Sequence, residues 1–307
     1  MSISSRKMKI TVTGASGFLG RNLIKMLRED NRYIVHAITS RADFSRSTNT
    51  DDHVRYHERD AIFTNNDEEI FYGSTVINCA FPRNSNGTEM AEGLEYTQHL
   101  FRIAHRCLAK AIVNISTQSV YPTNRTEAAT EQSPVSLDTV YSVGKYATEL
   151  MLKASCSSSD TNYTNLRMAS LIGPGFNQRI TNRFVQQALI DKRLNVVLSK
   201  KIYGYLDVMD AVTGIMTLIN TQSDSWSSLY NLGPKDGYSI RDIAGFVCEV
   251  AEEFSIGPVT CVFEHSNEYS NSLLDSSKFY DELMWHPSIP MRESIRRIFS
   301  YETGVVK

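Results

Sequence analysis

The chain has 307 residues, of which 41% are hydrophobic, and a formal net charge of −2 at pH 7. Its length suffices for a large α/β unit with an added lobe, and its charge excludes the basic field that nucleic acid or anionic lipid would attract. No apolar stretch is long enough to span a bilayer, and the polar first residues lack the apolar core of a secretory signal. Five cysteines without a C-x-x-C pair indicate free thiols in a reducing compartment. We therefore expect a cytoplasmic protein, and we predict no metal site.

The first predicted strand, residues 9–13, runs into a glycine-rich turn and then into an amphipathic helix. Glycines let backbone N–H groups approach a pyrophosphate, and the helix N-terminus adds partial positive charge. The spacing is G-x-x-G-x-x-G, not G-x-G-x-x-G, and an ordinary tight turn could carry the same glycines. Its position at the start of an alternating β/α chain favours dinucleotide binding. The predicted cofactor contacts in this segment are Gly14, Ser16, Gly17, Phe18, Leu19 and Gly20.

Strands and helices are predicted to alternate through the first half of the chain. The predicted strands here are 33–39, 54–58, 75–80, 111–115 and 163–168, and the helices are 68–72, 89–107 and 140–153. The alternation then loosens, with helices at 183–190, 207–220 and 240–251 and strands at 195–198, 229–232 and 259–263.

This pattern predicts an α/β fold, a Rossmann-type doubly wound parallel sheet with a smaller α/β C-terminal substrate lobe. Residues 1–169 would form the dinucleotide-binding domain, with 205–232 returning to it. Residues 170–204 and 233–307 would form the substrate-binding lobe.

The end of the second strand bears on the choice between NAD and NADP. An acidic residue there binds the ribose 2′-hydroxyl of NAD, whereas an arginine accommodates the 2′-phosphate of NADP. The sequence offers Ser40-Arg41, with Asp43 slightly farther along; this slightly favours NADP, although Arg41 could instead be a solvated loop cation. Asp60 follows the third strand and could accept from the adenine amino group or simply be exposed. The small Ala80 would let the cofactor lie close to the fourth strand.

Tyr141 and Lys145 are four residues apart on a predicted helix and therefore share one face. A tyrosine has an unperturbed pKa of about 10, and a nearby ammonium lowers it by stabilising the phenolate. The pair can move a proton while a hydride moves at a neighbouring carbon. Thr117, at the end of the preceding strand, can hold the reacting oxygen. A Y-x-x-x-K spacing alone is common on exposed helices. Here the glycine-rich turn upstream favours the catalytic interpretation of the pair.

These motifs together resemble the extended short-chain dehydrogenases/reductases, the NAD-dependent epimerase/dehydratase family that acts on nucleotide sugars. The resemblance covers nearly the whole chain and includes the following segments: Gly14-Ala15-Ser16-Gly17-Phe18-Leu19-Gly20, Ile115-Ser116-Thr117-Gln118-Ser119-Val120-Tyr121, Tyr141-Ser142-Val143-Gly144-Lys145, Leu166-Arg167, Gly173-Pro174-Gly175, Leu206-Asp207-Val208 and Trp285-His286-Pro287.

The resemblance implies a role for each of several residues. Thr117 stands at the catalytic hydroxyl position, Tyr141 is the acid/base, and Lys145 binds the nicotinamide ribose and tunes Tyr141. Asp60-Ala61 would meet adenine, and Ala80 would line the dinucleotide groove.

Three departures from the family pattern bear on the reaction. Gln118-Ser119 replace the Asp-Glu pair of the dehydratases, which disfavours 4,6-dehydration. Ser170 stands where an asparagine often contacts substrate. The arginine that often grips the substrate diphosphate is missing before Leu206. Either Lys200, Lys201 or Arg179 holds the diphosphate, or the substrate is not a standard UDP-sugar.

Three functions are open at this point. The first is NADPH-dependent reduction of a keto group, most simply a 4-keto deoxysugar on a nucleotide. The second is 4-epimerisation with a retained NAD, which uses the same three residues. The third, a non-catalytic dinucleotide-binding regulator, is disfavoured because Thr117, Tyr141 and Lys145 are all present. In similar proteins the helices at 89–107 and 140–153 form an intersubunit four-helix bundle, so a homodimer is expected. Polysaccharide biosynthesis is the commonest context for such enzymes.

Overall fold

The computed structural model describes residues 7–41, 53–60, 67–83, 86–157 and 159–305. The chain divides into two compact units. The first unit takes in residues up to 120, 136–167 and 215–230, and the second takes in 121–135, 168–214 and the residues from 231 onward.

The main sheet has seven parallel strands. They are β1 (Met8–Thr13), β2 (Tyr33–Thr39), β3 (Val54–Glu58), β4 (Thr75–Asn78), β5 (Ala111–Thr117), β6 (Asn162–Met168) and β10 (Leu229–Leu232). Their order across the sheet is β10-β6-β5-β4-β1-β2-β3, with β1 hydrogen-bonded in parallel to both β2 and β4. The direction of winding reverses between β1 and β4, which is the switch point where doubly wound sheets bind ligands. The predicted Rossmann-type fold is confirmed.

Helices flank this sheet. Those of the first unit are α1 (Phe18–Arg28), α2 (Asp67–Phe71), α3 (Gly87–Arg106) and α4 (Val140–Cys156). Helices α3 and α4 pack on each other, and their buried faces share one core that includes Tyr96, Leu100, Phe101 and Leu152. The predicted helix at 140–153 runs three residues farther than the sequence indicated, to Cys156.

A chain of buried amides crosses the centre of the sheet. Thr13 donates to Asn78 (2.8 Å), and Asn78 donates to Asn114 (3.1 Å). Asn114 in turn donates to Thr148 of α4 (3.1 Å) and to Asn165 of β6 (2.9 Å). Because buried polar groups are costly without partners, these bonds favour one register of strands β1, β4, β5 and β6 and one position of α4 against them.

The second unit contains two small parallel sheets and several helices. Strand β7 (Ser170–Ile172) pairs with β9 (Tyr205–Asp207), and β8 (Arg193–Ile202) pairs with β11 (Thr260–Asn271). The helices are α5 (Ile180–Ile190), α6 (Val208–Asn220, whose last turns belong to the first unit), α7 (Ile240–Glu253), α8 (Ser277–Leu283) and α9 (Met291–Thr303). Phe184, Val247, Ile295 and Phe299 lie in its core.

The sequence reading missed most in this second unit. The predicted strand at 259–263 extends to Asn271, because its pairing with β8 continues past a register shift between His265 and Tyr269. Helix α9 was not predicted, although Met291, Ile295 and Ile298 carry the helical spacing that would have indicated it. None of the helices within the described ranges is both long and apolar enough to cross a membrane.

Candidate active site

The glycine-rich turn between β1 and α1 is built by close backbone approaches. Gly14 has a φ of +68°, and a side chain there would place its Cβ 2.8 Å from the backbone nitrogen of Ala80. A Cβ on Gly20 would lie 2.3 Å from the Gly14 carbonyl oxygen. Any larger residue at either position would therefore push the first turn of α1 away from β1 and β4.

The N-terminus of α1 opens at this turn. The helix follows Gly17, and its first turn holds no acidic residue. The N–H groups in the first turn of a helix have no acceptor within the helix, and its positive dipole end attracts an anion. Beside it, the Thr39 hydroxyl at the end of β2 donates to the Ser16 hydroxyl at 2.9 Å, which ties the turn to the neighbouring strand.

A cavity of about 350 Å³ lies at the carboxyl ends of strands β1 to β4. It is lined by Gly14, Ser16, Gly17, Ile38, Thr39, Ser40, Arg59, Cys79, Ala80, Phe81, Pro82, Glu89, Glu92, Gly93 and Tyr96. Four of the predicted cofactor contacts are in this lining, namely Gly14, Ser16, Gly17 and Ala80. Position, size and the glycine turn fit the pyrophosphate and adenosine part of a dinucleotide.

Other predicted cofactor residues lie elsewhere. Leu19 and Gly20 are buried in the packing of α1, and the Phe18 ring is half-buried with the Arg21 guanidinium 5.4 Å from its centroid. Arg41 and Asp60 are exposed. Ala61 lies outside the described residues.

Arg59 is a cavity residue that the sequence reading missed. The parallel register pairs Thr39 with Glu58, so Arg59 follows β3 directly beside Ser40. Its guanidinium carbon lies 4.9 Å from the centroid of the buried Tyr96 ring, a cation–π contact. The available signal was its position just past a predicted parallel strand, where ligand-binding residues collect.

Tyr141 stands in the first turn of α4. The helix begins after Thr139, whose hydroxyl accepts from the backbone N–H of Ser142 at 3.0 Å in a capping box. The Tyr141 side chain is half-buried, and its ring meets that of Phe81 edge to face with centroids 6.2 Å apart. The cap thus sets where the helix starts and so which residue faces the groove.

Lys145 follows one turn later and is only 4% exposed. Its Nζ donates to the Ile115 carbonyl oxygen at 2.6 Å and lies 4.8 Å from the Phe81 ring centroid. Burial lowers the pKa of Lys145 to about 8, while the nearby Cys79 and Glu149 act to raise it. Burial also raises the pKa of the Cys79 thiol to about 12, so this neighbour is neutral at pH 7. Lys145 is therefore largely, but not fully, protonated at neutral pH.

Thr117 is the last residue of β5 and is 8% exposed. It lies two residues beyond Ile115, so its side chain projects on the same face of the strand. Its hydroxyl accepts from the Ser119 backbone N–H at 3.2 Å and donates to the Ser119 hydroxyl at 3.3 Å. The structure thus brings Tyr141, Lys145 and the strand end bearing Thr117 together within the first unit.

Three of the predicted substrate residues, Ser170, Arg179 and Lys200, belong to the second unit. Ser170 of β7 pairs with Tyr205 of β9, and the Arg179 guanidinium lies 6.0 Å from the Tyr205 ring centroid. Arg179 Nε also donates to the Leu171 carbonyl oxygen at 3.3 Å. Ser170 and Arg179 are therefore neighbours, whereas Lys200 is exposed on β8.

Comparison with known proteins gives one family match. The model of the NAD dependent epimerase/dehydratase family matches residues 10–233. The likeness to solved structures extends over almost the entire chain.

Three solved structures illustrate the likeness. UDP-glucuronic acid 4-epimerase from Bacillus cereus, in complex with UDP-glucuronic acid and NAD, has a TM-score of 0.82 at 22% identity over 97% of this chain and 100% of that one. UDP-N-acetylglucosamine 4-epimerase from Bacillus cereus has a TM-score of 0.81 at 22% identity, covering 95% and 98%. UDP-glucose 4-epimerase from Thermotoga maritima, with UDP-glucose, has a TM-score of 0.79 at 20% identity, covering 97% and 99%. At these identities the likeness shows a shared fold.

Proposed function

Because the chain belongs to the NAD-dependent epimerase/dehydratase family, we propose that it transfers a hydride at C4 of a nucleotide-activated sugar, most simply to reduce a 4-keto group with NADPH. The observation that carries the proposal is the buried Lys145 ammonium, one helical turn from Tyr141 and bonded to the strand that ends in Thr117. An exposed Y-x-x-x-K pair would have neither the burial nor the strand contact.

The roles of the three residues follow from their chemistry. A bound nicotinamide dinucleotide supplies or accepts the hydride. Lys145, as an ammonium, stabilises the phenolate of Tyr141 and so lowers its pKa toward neutrality. Tyr141 gives its proton to the sugar oxygen as the carbonyl is reduced, and the Thr117 hydroxyl donates a hydrogen bond that holds this oxygen in place.

NADP is the proposed cofactor. The described residues at the end of β2 are Thr39, Ser40 and Arg41, and none of these three carries a carboxylate for the 2′-hydroxyl of NAD; Asp43 lies outside the described residues. Two arginines could meet a 2′-phosphate. Both residues are exposed, but Arg59 lines the cavity beside Ser40 and is held against Tyr96, whereas Arg41 is not part of that lining.

Substrate binding by the second unit is part of the proposal. Arg179 is a half-buried cation beside Tyr205 and Ser170, and the exposed Lys200 is the other predicted contact. A guanidinium suits a diphosphate because it can form paired, charge-assisted hydrogen bonds.

The second candidate function is 4-epimerisation with a retained NAD. It is favoured by the three solved structures described above, whose proteins are named as 4-epimerases, and the UDP-glucuronic acid 4-epimerase structure contains NAD. In such a cycle Tyr141 would first remove a proton and later return it, with no net change in the cofactor. Dehydration is not proposed, since Gln118 and Ser119 supply no carboxylate after Thr117.

Cofactor stoichiometry tests the proposal. Mass spectrometry of the natively purified protein identifies any retained dinucleotide and nucleotide sugar. Incubation with UDP- and dTDP-linked 4-keto sugars should then consume one NADPH per product formed. Interconversion of C4 epimers without NADPH consumption would show that the protein is an epimerase and not a reductase. A protein that binds the dinucleotide but shows neither activity would favour the non-catalytic regulator.

A homodimer also belongs to the proposal. Val140, Val143, Ala147 and Leu150 recur at helical spacing along α4, and of these Val140, Val143 and Leu150 are 44%, 40% and 51% exposed. The same helix packs against α3, so two copies could bury this stripe in a four-helix bundle.

A further inference from the structure

Phe81 occupies the space between the cofactor cavity and the two proposed catalytic side chains. Its ring centroid lies 4.8 Å from Lys145 Nζ and 6.2 Å from the Tyr141 ring centroid, and the residue also lines the cavity. The dinucleotide motifs do not include this position.

The backbone around Phe81 is shaped to admit this ring. A Cβ on Gly144, between Tyr141 and Lys145 on α4, would lie 2.7 Å from the Phe81 Cζ atom. A Cβ on Gly93 of α3 would lie 2.5 Å from the ring of Pro82. The Phe81-Pro82 segment after β4 therefore fits between the two helices only because both helices carry glycine there.

We propose that Phe81 is the positioning residue of the site: its ring holds the Tyr141 phenol in place and supports the buried Lys145 ammonium from the cavity side. This inference rests on the proposed roles of Tyr141 and Lys145. The ring gives the buried ammonium a cation–π contact on that side, and it excludes water that would screen the charge from Tyr141.

The groups that face Lys145 come from each element packed against it. They are the Ile115 carbonyl of β5, the Cys79 thiol after β4, the Glu149 carboxylate on α4 and the Phe81 ring. Leucine at position 81 would preserve most of the apolar volume but remove the π face. The ammonium form of Lys145 would lose a favourable contact, and its pKa should fall by about one unit.

The test measures the pKa of Lys145 directly and does not require enzymatic turnover. In ¹⁵N-lysine-labelled protein, the Nζ signal that disappears in Lys145→Met is followed from pH 6 to pH 10. Phe81→Leu should lower the titration midpoint of Lys145 by about one pH unit. Phe81→Trp, which keeps a π face, should keep the midpoint close to the wild-type value. Phe263→Leu is the matched control, since Phe263 lies 5.0 Å beneath the Arg241 guanidinium in the second unit; it should leave Lys145 unchanged. An unshifted midpoint in Phe81→Leu would overturn the proposal.

Kinetics separate this inference from the proposed function. If hydride transfer occurs, Phe81→Leu should lower kcat about 10-fold with little change in KM for the dinucleotide, and the alkaline fall in kcat should move to lower pH with Lys145. If the Lys145 midpoint shifts but no nucleotide sugar is turned over, the proposed function fails and the contact between Phe81 and Lys145 stands. A changed KM with unchanged kcat would make Phe81 a cofactor contact and overturn its positioning role.

Discussion

Glu149 and Arg167 form a buried ion pair directly behind the proposed active site. Arg167 donates from Nε at 3.0 Å and from a terminal nitrogen at 2.8 Å, and the two side chains are only 4% and 6% exposed. Glu149 lies one turn beyond Lys145 on α4 and also accepts from the hydroxyl of Ser116, the residue before Thr117. The pair therefore joins α4 to β5 and β6 at the position where the catalytic side chains must align.

Breaking this pair should be strongly destabilising. Arg167→Met would leave a buried carboxylate without its partner, and urea unfolding should show a loss of about 3–5 kcal/mol in unfolding free energy. The double variant Glu149→Met/Arg167→Met should recover part of the loss because no charge stays buried. Arg292→Met, which removes an exposed pair with Glu249 and Glu253, is the control and should change stability little. If Arg167→Met and Arg292→Met lost the same unfolding free energy, the structural role given to Glu149 and Arg167 would be contradicted.

Tyr141→Phe should abolish proton transfer while preserving the site. Loss of the hydroxyl should lower kcat by about 10²–10⁴-fold, as is usual for a general acid/base, with dinucleotide affinity nearly unchanged. Steady-state kinetics and calorimetric titration with NADP⁺ measure the two quantities. Tyr146→Phe is the matched control on the same helix and should retain its rate. A Tyr141→Phe enzyme of normal rate would refute the assigned role.

The two arginines near the adenosine end should differ in their effect on the cofactor. Arg59→Ala should raise KM for NADPH by about 10–100-fold and leave KM for NADH nearly unchanged, because a charge-assisted contact to the 2′-phosphate is lost. Arg41→Ala should have the smaller effect, since Arg59 lines the cavity and Arg41 does not. If Arg59→Ala raised KM equally for NADPH and NADH, the residue would instead contact the adenine. A larger effect in Arg41→Ala would support the sequence-based prediction that Arg41 binds the 2′-phosphate.

A histidine pair on the outer strands should make the protein acid-sensitive. His36 Nδ1 lies 3.0 Å from His57 Nε2, and burial, followed by repulsion from His57, Lys9 and Arg55, lowers the pKa of His36 to about 3. The unfolded chain therefore binds a proton below about pH 6.5 that the folded chain does not. Stability should be complete above that pH and fall by up to about 1.4 kcal/mol per pH unit as the pH drops toward 3.

Chemical unfolding at several pH values tests this expectation. Between pH 6.5 and 5, above the range in which most carboxylates titrate, His36→Gln should show a shallower fall in unfolding free energy than the wild type. The slope is the readout, because the substitution also changes packing. An unchanged slope would mean that His36 already titrates normally in the folded chain.

The exposed stripe on α4 should hold two copies together. Leu150→Glu places a charge in the proposed interface and should convert a dimer to a monomer of the 34.6 kDa chain mass in light scattering at micromolar concentration. Ile190→Glu is the control, since Ile190 is 78% exposed at the end of α5. A wild-type protein of monomeric mass would remove the dimer.

Much of the first unit could be predicted from local patterns. Strands at 33–39, 54–58 and 229–232 were predicted with their observed bounds, because short apolar runs between turn residues are typical of buried parallel strands. The glycine turn and the Tyr141/Lys145 spacing were equally visible, since each depends on residues close together in sequence. The long pairing of β8 with β11 was not, because the two strands lie far apart along the chain, whereas α9 was missed although its own spacing is helical.

The sequence by itself determined the parallel α/β architecture, the glycine-rich turn after β1, and the helix face shared by Tyr141 and Lys145. These depend on the periods of strand and helix and on the steric freedom of glycine. Only the tertiary structure decided that Arg59 and not Arg41 lines the cavity, and that Phe81 lies against Tyr141 and Lys145. Those relations join residues on different strands and helices, and which side chains meet there depends on strand order, register and packing that no local pattern encodes.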